Sequence, residues 1–419
     1  MQRALRDQPC PGTMDVETIR SHFPLLSRRD GARPLCYLDN AATSHKPVSV
    51  LDAIDDCYRN HYGPVHRGLY ELAEDASARY ERARLTVARF VGAPSADQLV
   101  FTRSATEAIN LVAAGWAEPR LQPGDEIWIS RMEHHSNFLP WQRACQRTGA
   151  RLRIIELQAD GSLDLGGAAG LYGPRTRLIA LTHVSNVLGV ITPIRAVAAQ
   201  AQARGIPVLV DAAQSVAHLP ISVTELGCDF LAFSAHKMCG PTGIGALYAK
   251  AERLEEMEPL LVGGGMVDEV GDLQSSWAPY PGKFEAGSPN LAGAVGFAAA
   301  AEYLTGVGMD RVQAHVQALT DAALRALAAI SGVQVYGPPD AARRAGIVAF
   351  NMAGVHAHDV AQLLAERGVA IRAGHHCCQP LMHSLGVPAT ARASFALYNR
   401  REDVEAFIDA VQWVRQVFV

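Results

Sequence analysis

Six short apolar runs, QLVFTRS, GDEIWIS, RLRIIEL, TRLIALTHV, GIPVLVDAA and CDFLAFSA, each end in polar residues, and stretches with helical spacing lie between them, such as 105–117 and 193–205. A few apolar residues bounded by turn formers read as a strand buried on both faces. Strands that alternate with helices form parallel βαβ units and a sheet covered by helices on both sides. No other feature limits the fold as strongly, because it makes the first two thirds of the chain a large α/β unit. Ligands of such sheets sit beyond the carboxyl ends of the strands, so the polar residues that close each run are the ones to read for chemistry.

From about Asn290 the pattern changes to an Ala-rich helical region, the strands VQVYG and GIVAFNM, a helix over 358–366 and the strand GVAIRAG. This predicts a smaller α+β unit. The expected division is an N-terminal segment 1–29 packed on the small unit, a large unit 30–297 and a small C-terminal unit 298–419. A chain of 419 residues, 49% hydrophobic and 19% charged, can bury cores of that size. Its net charge of -4 offers nucleic acid no electrostatic footing. The start, MQRALRDQPCPGT, lacks the apolar stretch of a secretory signal, and Met14 could be the natural start. The longest small-residue run, LAGAVGFAAAAEYL, is interrupted by Glu302, so no membrane span is expected. Cys10, Cys36, Cys57, Cys145, Cys228 and Cys239 are scattered without CxxC spacing, which argues against a disulfide framework and for a reducing, cytoplasmic setting.

Asp211 closes PVLVD, where a carboxylate would lie at the ligand edge of the sheet or cap a helix. Ser234, His236 and Lys237 follow FLAF, and GPTGIG, next along, would let backbone approach a bound group closely. A lysine after a strand is usually solvated. A buried one beside a carboxylate is the equipment for a pyridoxal phosphate Schiff base: desolvation frees the amine of its proton, and the carboxylate pairs with the pyridine nitrogen. Ala105, Thr106 and Glu107 stand where FTRS turns into a helix, a place for phosphate, with Thr106 as hydroxyl donor. His134 and His135 follow GDEIWIS, as a ring-stacking imidazole or as polar loop residues, and Asn186 follows TRLIALTHV.

Near the C-terminus GHHCCQP sets His375, His376, Cys377 and Cys378 side by side. Adjacent residues of an extended segment point to alternate faces, and zinc sites separate their cysteines by two or more residues, so no metal site is expected. A redox pair would be a strained vicinal disulfide. A pair of small buried residues and a nucleophile both remain open on these residues alone.

YLDNAATSHKP, VHRGLYELA, TEAINLV, EHHSNFLPWQ, THVSNVLG, VDAAQS, SAHKMCGPTGIGALY, FEAGSPN, RAGHHC and ARASFALYN together resemble the class V aminotransferase family of fold-type I pyridoxal phosphate enzymes. Within it the chain is similar to the group II, SUF-type cysteine desulfurases and the selenocysteine lyase-like members. The resemblance implies a mostly parallel seven-stranded sheet sandwiched by helices, with a smaller α+β domain. It implies that Lys237 is the Schiff-base lysine, Asp211 the partner of the ring nitrogen and His134 the stacking group. Gln214 and Asn186 would then contact ring oxygen or substrate, and Thr106, Ala105, Ser234 and His236 would hold the phosphate. Ser288, in the AGSPN loop, would reach the phosphate of a neighbouring subunit, which implies a homodimer. Arg392 and Arg372 would clamp the substrate carboxylate, with His66 and Arg67 lining the mouth from the partner side. Ala105, Ser288 and Ala235 depart from the family's usual residues.

The RxGHHC motif selects Cys377 as the catalytic nucleophile, and Cys378 falls where the family has a small residue. What the resemblance implies is a cysteine desulfurase: L-cysteine becomes L-alanine, and a persulfide on Cys377 passes to a SUF-type acceptor for iron–sulfur cluster assembly. The rivals are a selenocysteine lyase, another lyase of the class V aminotransferases, and an inactive sulfur-relay scaffold.

Overall fold

The computed structural model describes residues 14–30 and 33–418. Cys10 and the stretch before Met14 lie outside the described residues. Seven strands form the large sheet: β1 (Leu99–Thr102), β2 (Glu126–Ser130), β3 (Arg151–Ile155), β4 (Thr176–Thr182), β5 (Val208–Asp211), β6 (Phe230–Ser234) and β7 (Gly245–Ala249). Their order is β1-β7-β6-β5-β4-β2-β3. β2 to β6 pair in parallel, and only β7 runs against its neighbours, β6 and β1. The expected α/β fold with a mostly parallel seven-stranded sheet is thus borne out.

Helices Ala105–Leu111, Leu139–Thr148 and Ile194–Gln202 make crossovers between strands. The turn from Ser234 to Gly245 is too short for a crossover, which is why β7 is antiparallel. Every residue of β5, β6 and β7 is buried, as apolar runs without alternation require. The GPTGIG turn leads directly into β7. A Cβ on Gly245 would lie 2.6 Å from Phe233 O and 2.8 Å from Ser104 Cα, so the close approach is between this turn, β6 and the start of the Ala105 helix.

A second sheet holds β8 (Val333–Tyr336), β9 (Ile347–Met352), β10 (Arg372–Gly374) and β11 (Thr390–Ser394), antiparallel in the order β8-β9-β11-β10. The Ala-rich region is two helices, Leu291–Val307 and Met309–Ala328, bent by 76° at Gly308. Residue 298 lies inside the first of them. Among the described residues no single helix is long and apolar enough to cross a membrane. GVAIRAG is not one strand: Val369–Ala370 pairs in parallel with Cys36–Tyr37, and β10 pairs with β11. The chain changes partner at Ile371, and so stitches Cys36–Tyr37 to the second sheet. The N-terminal segment reaches the C-terminal part through Arg20 Nη1, which donates to Tyr398 O at 3.1 Å and pairs with Asp403 at 3.4 Å.

Candidate active site

A cavity of about 240 Å³ opens beyond the carboxyl ends of β2, β4, β5 and β6. Asp211 ends β5, and Lys237 follows β6 on a single turn, Ala235–Lys237. Both line the cavity with Ala105, Thr106, His134, Asn186, Gln214, Ser234 and His236. From the second sheet come Arg372, Cys377 and Arg392.

Burial pushes the Lys237 amine down to about 8, with Asp211 and the Cys377 thiol pulling it back up and Arg392 and Arg372 reinforcing the fall. Burial also raises the Asp211 carboxyl, against the N–H of Ala213, which donates to its Oδ1 at 2.9 Å, and against the Lys237 charge. A buried carboxyl with so little compensation favours a proton-bearing partner. The His134 Nδ1 accepts the N–H of Ser136 at 3.1 Å, so its proton sits on Nε2. Burial, then Lys237, lowers its pKa to about 3, and the ring is neutral. His236 is neutral for the same two causes, with a pKa of about 4, and its Nδ1 lies 3.2 Å from Thr43 Oγ1.

Thr106 and Ser136 pair through their hydroxyls at 2.8 Å on the cavity wall. The Ala105 N–H donates to Ser234 Oγ at 2.8 Å, so this pair fastens the helix start to the end of β6. Gln214 Nε2 donates to Ala41 O at 2.8 Å and braces the NAATS segment. Asn186 Nδ2 donates to His376 O at 2.8 Å, and Asn186 O accepts from Arg392 Nη1 at 2.7 Å. Arg392 Nη2 donates to Asp39 at 3.0 Å, while Nε, buried, has no partner. Arg372 stands opposite Arg392 across β10 and β11.

Cys377 and Cys378 have different surroundings. Cys377 faces the cavity, its N–H donating to His375 Nδ1 at 3.1 Å and its carbonyl accepting from His135 N–H at 2.7 Å. Cys378 is fully buried, its Sγ donates to Glu133 O at 3.2 Å, and burial, then Glu133, pushes its thiol up to about 12. Among the described residues no group of three or more His, Cys, Asp or Glu could hold a metal ion.

Three expected site residues lie elsewhere in the chain. Ser288 is exposed beside a recess with Phe101 and Gly243, and His66 and Arg67 line another with Glu81 and Glu285. Glu285 anchors the Ser288 loop, accepting from Tyr80 Oη at 2.8 Å and from Phe101 N–H at 2.7 Å.

Sequence reading missed Glu133. Fully buried, it accepts from Ser130 Oγ at 2.6 Å, Asn137 Nδ2 at 2.6 Å and the Thr182 N–H at 3.0 Å, and so ties the ends of β2 and β4 beneath the cavity. Burial raises its carboxyl to about 8 against these three donors, and Asp211 adds to the rise. Its place in the polar tail of GDEIWIS was the available signal, overshadowed by the two histidines that follow. His376 was also undervalued: its Nε2 lies 3.0 Å from both Thr390 O and Oγ1, and its buried Nδ1 has no partner.

These residues suit pyridoxal phosphate. An amine readily deprotonated, a buried carboxyl lacking a strong partner, a neutral imidazole and two unpartnered buried nitrogens, Arg392 Nε and His376 Nδ1, surround one compact cavity. The aminotransferase class-V family matches residues 36–407. A protein described as a probable cysteine desulfurase from Halalkalibacterium halodurans is 48% identical over 405 residues, 97% of this chain and 99% of that one. A cysteine desulfurase from Haloferax volcanii is 46% identical, covering 97% and 98%. The crystal structure of the cysteine desulfurase CsdA from Escherichia coli, in an S-sulfonic acid form, superposes with a TM-score of 0.89 at 42% identity, covering 97% of this chain and 100% of that one. The chain therefore belongs to the class-V aminotransferase family and groups there with the cysteine desulfurases.

Proposed function

We propose that the protein is a pyridoxal phosphate-dependent cysteine desulfurase that moves the sulfur of L-cysteine onto Cys377 and releases L-alanine. The observation that carries this reading is the convergence of Lys237, Arg392 and Cys377 on one cavity. When bound, the cofactor supplies a carbonyl for the substrate amine and an electron sink for its Cα. Lys237, Asp211, His134, Gln214, Ser234, His236, Thr106 and the Ala105 turn would hold it. Burial, which lowers the Lys237 pKa to about 8, favours the neutral amine whose Nζ would act as base at Cα. Asp211 would hold a proton at the ring nitrogen. Arg392, with two of its nitrogens already fixed, presents a rigid guanidinium to the substrate carboxylate, with Arg372 opposite.

The Cys377 thiolate attacks the substrate sulfur, the Cβ–S bond breaks, Cβ takes a proton, and the enzyme keeps a persulfide. An acceptor protein of the SUF type then takes that sulfur for iron–sulfur cluster assembly. Cys377 is only partly exposed, on a short connection between β10 and helix Gln379–Ser384, so the acceptor has to bring its thiol to the cavity mouth.

The working unit is a homodimer in which Ser288, His66 and Arg67 complete the partner's cavity. Fully exposed Leu69, next to His66 and Arg67, and half-exposed Leu261, which lines the recess beside Ser288, support such an interface. Residues 30–297 form the cofactor-binding unit and 298–419 the unit that carries the nucleophile. The seven described cysteines are all unpaired, in keeping with a cytoplasmic, reducing location.

The test is mass spectrometry after incubation with L-cysteine. One added sulfur on Cys377 is expected, and Cys377→Ser should keep the cofactor while losing alanine release by about a hundredfold or more. Full cysteine turnover in that variant refutes the assignment. Selenocysteine turnover retained in it would mark a lyase that releases selenium without the thiol.

A further inference from the structure

A second cavity, of about 670 Å³, lies at the opposite end of the large sheet's strands from Lys237. Thr176, at the start of β4, and Ile206 and Pro207, just before β5, line it, whereas Thr182 and Asp211, at the far ends of the same two strands, line the active site. Seven residues of extended chain place the two cavities roughly 20 Å apart. The volume is in the range of small-molecule sites.

The floor is apolar: Ala117, Leu121, Leu178 and Ile206 are all buried. The rim carries four guanidinium groups, those of Arg120, Arg177, Arg204 and Arg253, against one lining carboxylate, Glu256. Arg177 pairs with Asp125 at 3.0 Å, and Arg253 with Asp229 and Glu256, both at 3.2 Å. Arg120 stands 3.8 Å from the same Glu256. Arg204 donates to the carbonyl of Gln200 at 3.0 Å and lies over the Tyr172 ring, 5.3 Å from its centroid. Positive charge is therefore in surplus on this rim, and Arg204 is held by a neutral partner and an aromatic face.

The wall has a second peculiarity. The helix that begins at Ala105 loosens into π-helical geometry over Val112–Ala117, a rare form associated with functional sites. That turn presents Trp116, whose Nε1 donates to Glu256 at 2.8 Å and whose ring centroid is 5.5 Å from the Arg120 guanidinium and 5.7 Å from that of Arg253. The lining offers no base or nucleophile suited to covalent chemistry, only an apolar slot with cations at its rim. We propose that this cavity is a binding site for a small organic anion with a flat apolar body, its ring on the Leu178 and Ile206 floor and its carboxylate or phosphate on Arg204.

Saturation-transfer NMR on the holoenzyme, with benzoate, phenyl phosphate and neutral benzamide as probes, tests this. Saturable binding of one or both anions is expected, with benzamide about tenfold or more weaker, and the preferred anion names the headgroup. Arg204→Glu, an exposed substitution remote from Lys237, should weaken the anion about tenfold or more while cysteine turnover stays unchanged. Tyr172→Ala should weaken it less. Equal affinity for benzoate and benzamide, no saturable binding of any probe, or anion binding untouched by Arg204→Glu overturns the proposal.

Discussion

Lys237 and Cys377 face the same cavity but are held by different means. Lys237 follows five consecutive buried residues of β6, locked between β5 and β7, so its position is a property of the sheet ladder. Cys377 follows a three-residue edge strand, and it and His376 both take left-handed backbone, with φ of 54° and 52°. For non-glycine residues that costs on the order of 1 kcal/mol or more each. Long-range hydrogen bonds offset the cost: Asn186 to His376 O, His135 to Cys377 O, Cys378 Sγ to Glu133 O, and His376 to Thr390. The proposed base is built into a rigid core, and the proposed nucleophile is clamped onto it from a separate sheet. Such a clamp can hold a thiol near substrate while leaving it open to an acceptor.

Three substitutions would break or sharpen this contrast. Lys237→Ala removes the proposed base without touching the clamp, so alanine formation should fall by a factor of about a thousand. Borohydride reduction followed by mass spectrometry should then find no cofactor attached to the chain, and residual attachment would point to a different lysine.

Glu133→Gln probes the junction of the two regions. The native carboxyl, raised to about 8, holds its proton through a pH range in which the unfolded chain, near 4.5, has released it. The contribution of Glu133 to stability should therefore fall as pH rises from about 5 to 8, by up to a few kcal/mol, while the neutral histidines His134 and His236 act in the opposite sense below about pH 6.5. Urea unfolding of both proteins at each end of that window should show the wild type losing stability relative to the variant, a difference in which the histidine contributions cancel. Parallel curves would mean that Glu133 is ionised throughout.

Cys378→Ala should change least. It deletes one weak thiol hydrogen bond and a small volume, so the stability cost should stay near 1 kcal/mol and turnover within about twofold. A loss as large as that of Cys377→Ser would transfer the nucleophile's role to its neighbour.

Much of this was legible beforehand. The apolar runs marked β1 to β6, most plainly β4, β5 and β6, where burial on both faces leaves a compositional trace; β3, at the sheet edge, buries only Ile155 fully. The Asp211 and Lys237 pair was legible because each stands directly after such a run. Glu133 was not, since its role depends on Ser130, Asn137 and Thr182 converging on it. The split of GVAIRAG between two sheets was not either, because nothing local marks a change of pairing partner at Ile371.

The sequence by itself determined the periodicities, hence the α/β architecture and the placing of reactive residues at strand ends, because those signals depend on near neighbours in the chain. Only the tertiary structure decided which of two adjacent cysteines faces the cavity. That choice depends on contacts with residues such as Asn186 and Glu133, some 190 and 245 positions away from their partners in the loop. It depends as well on a pair of left-handed residues that no local preference would select.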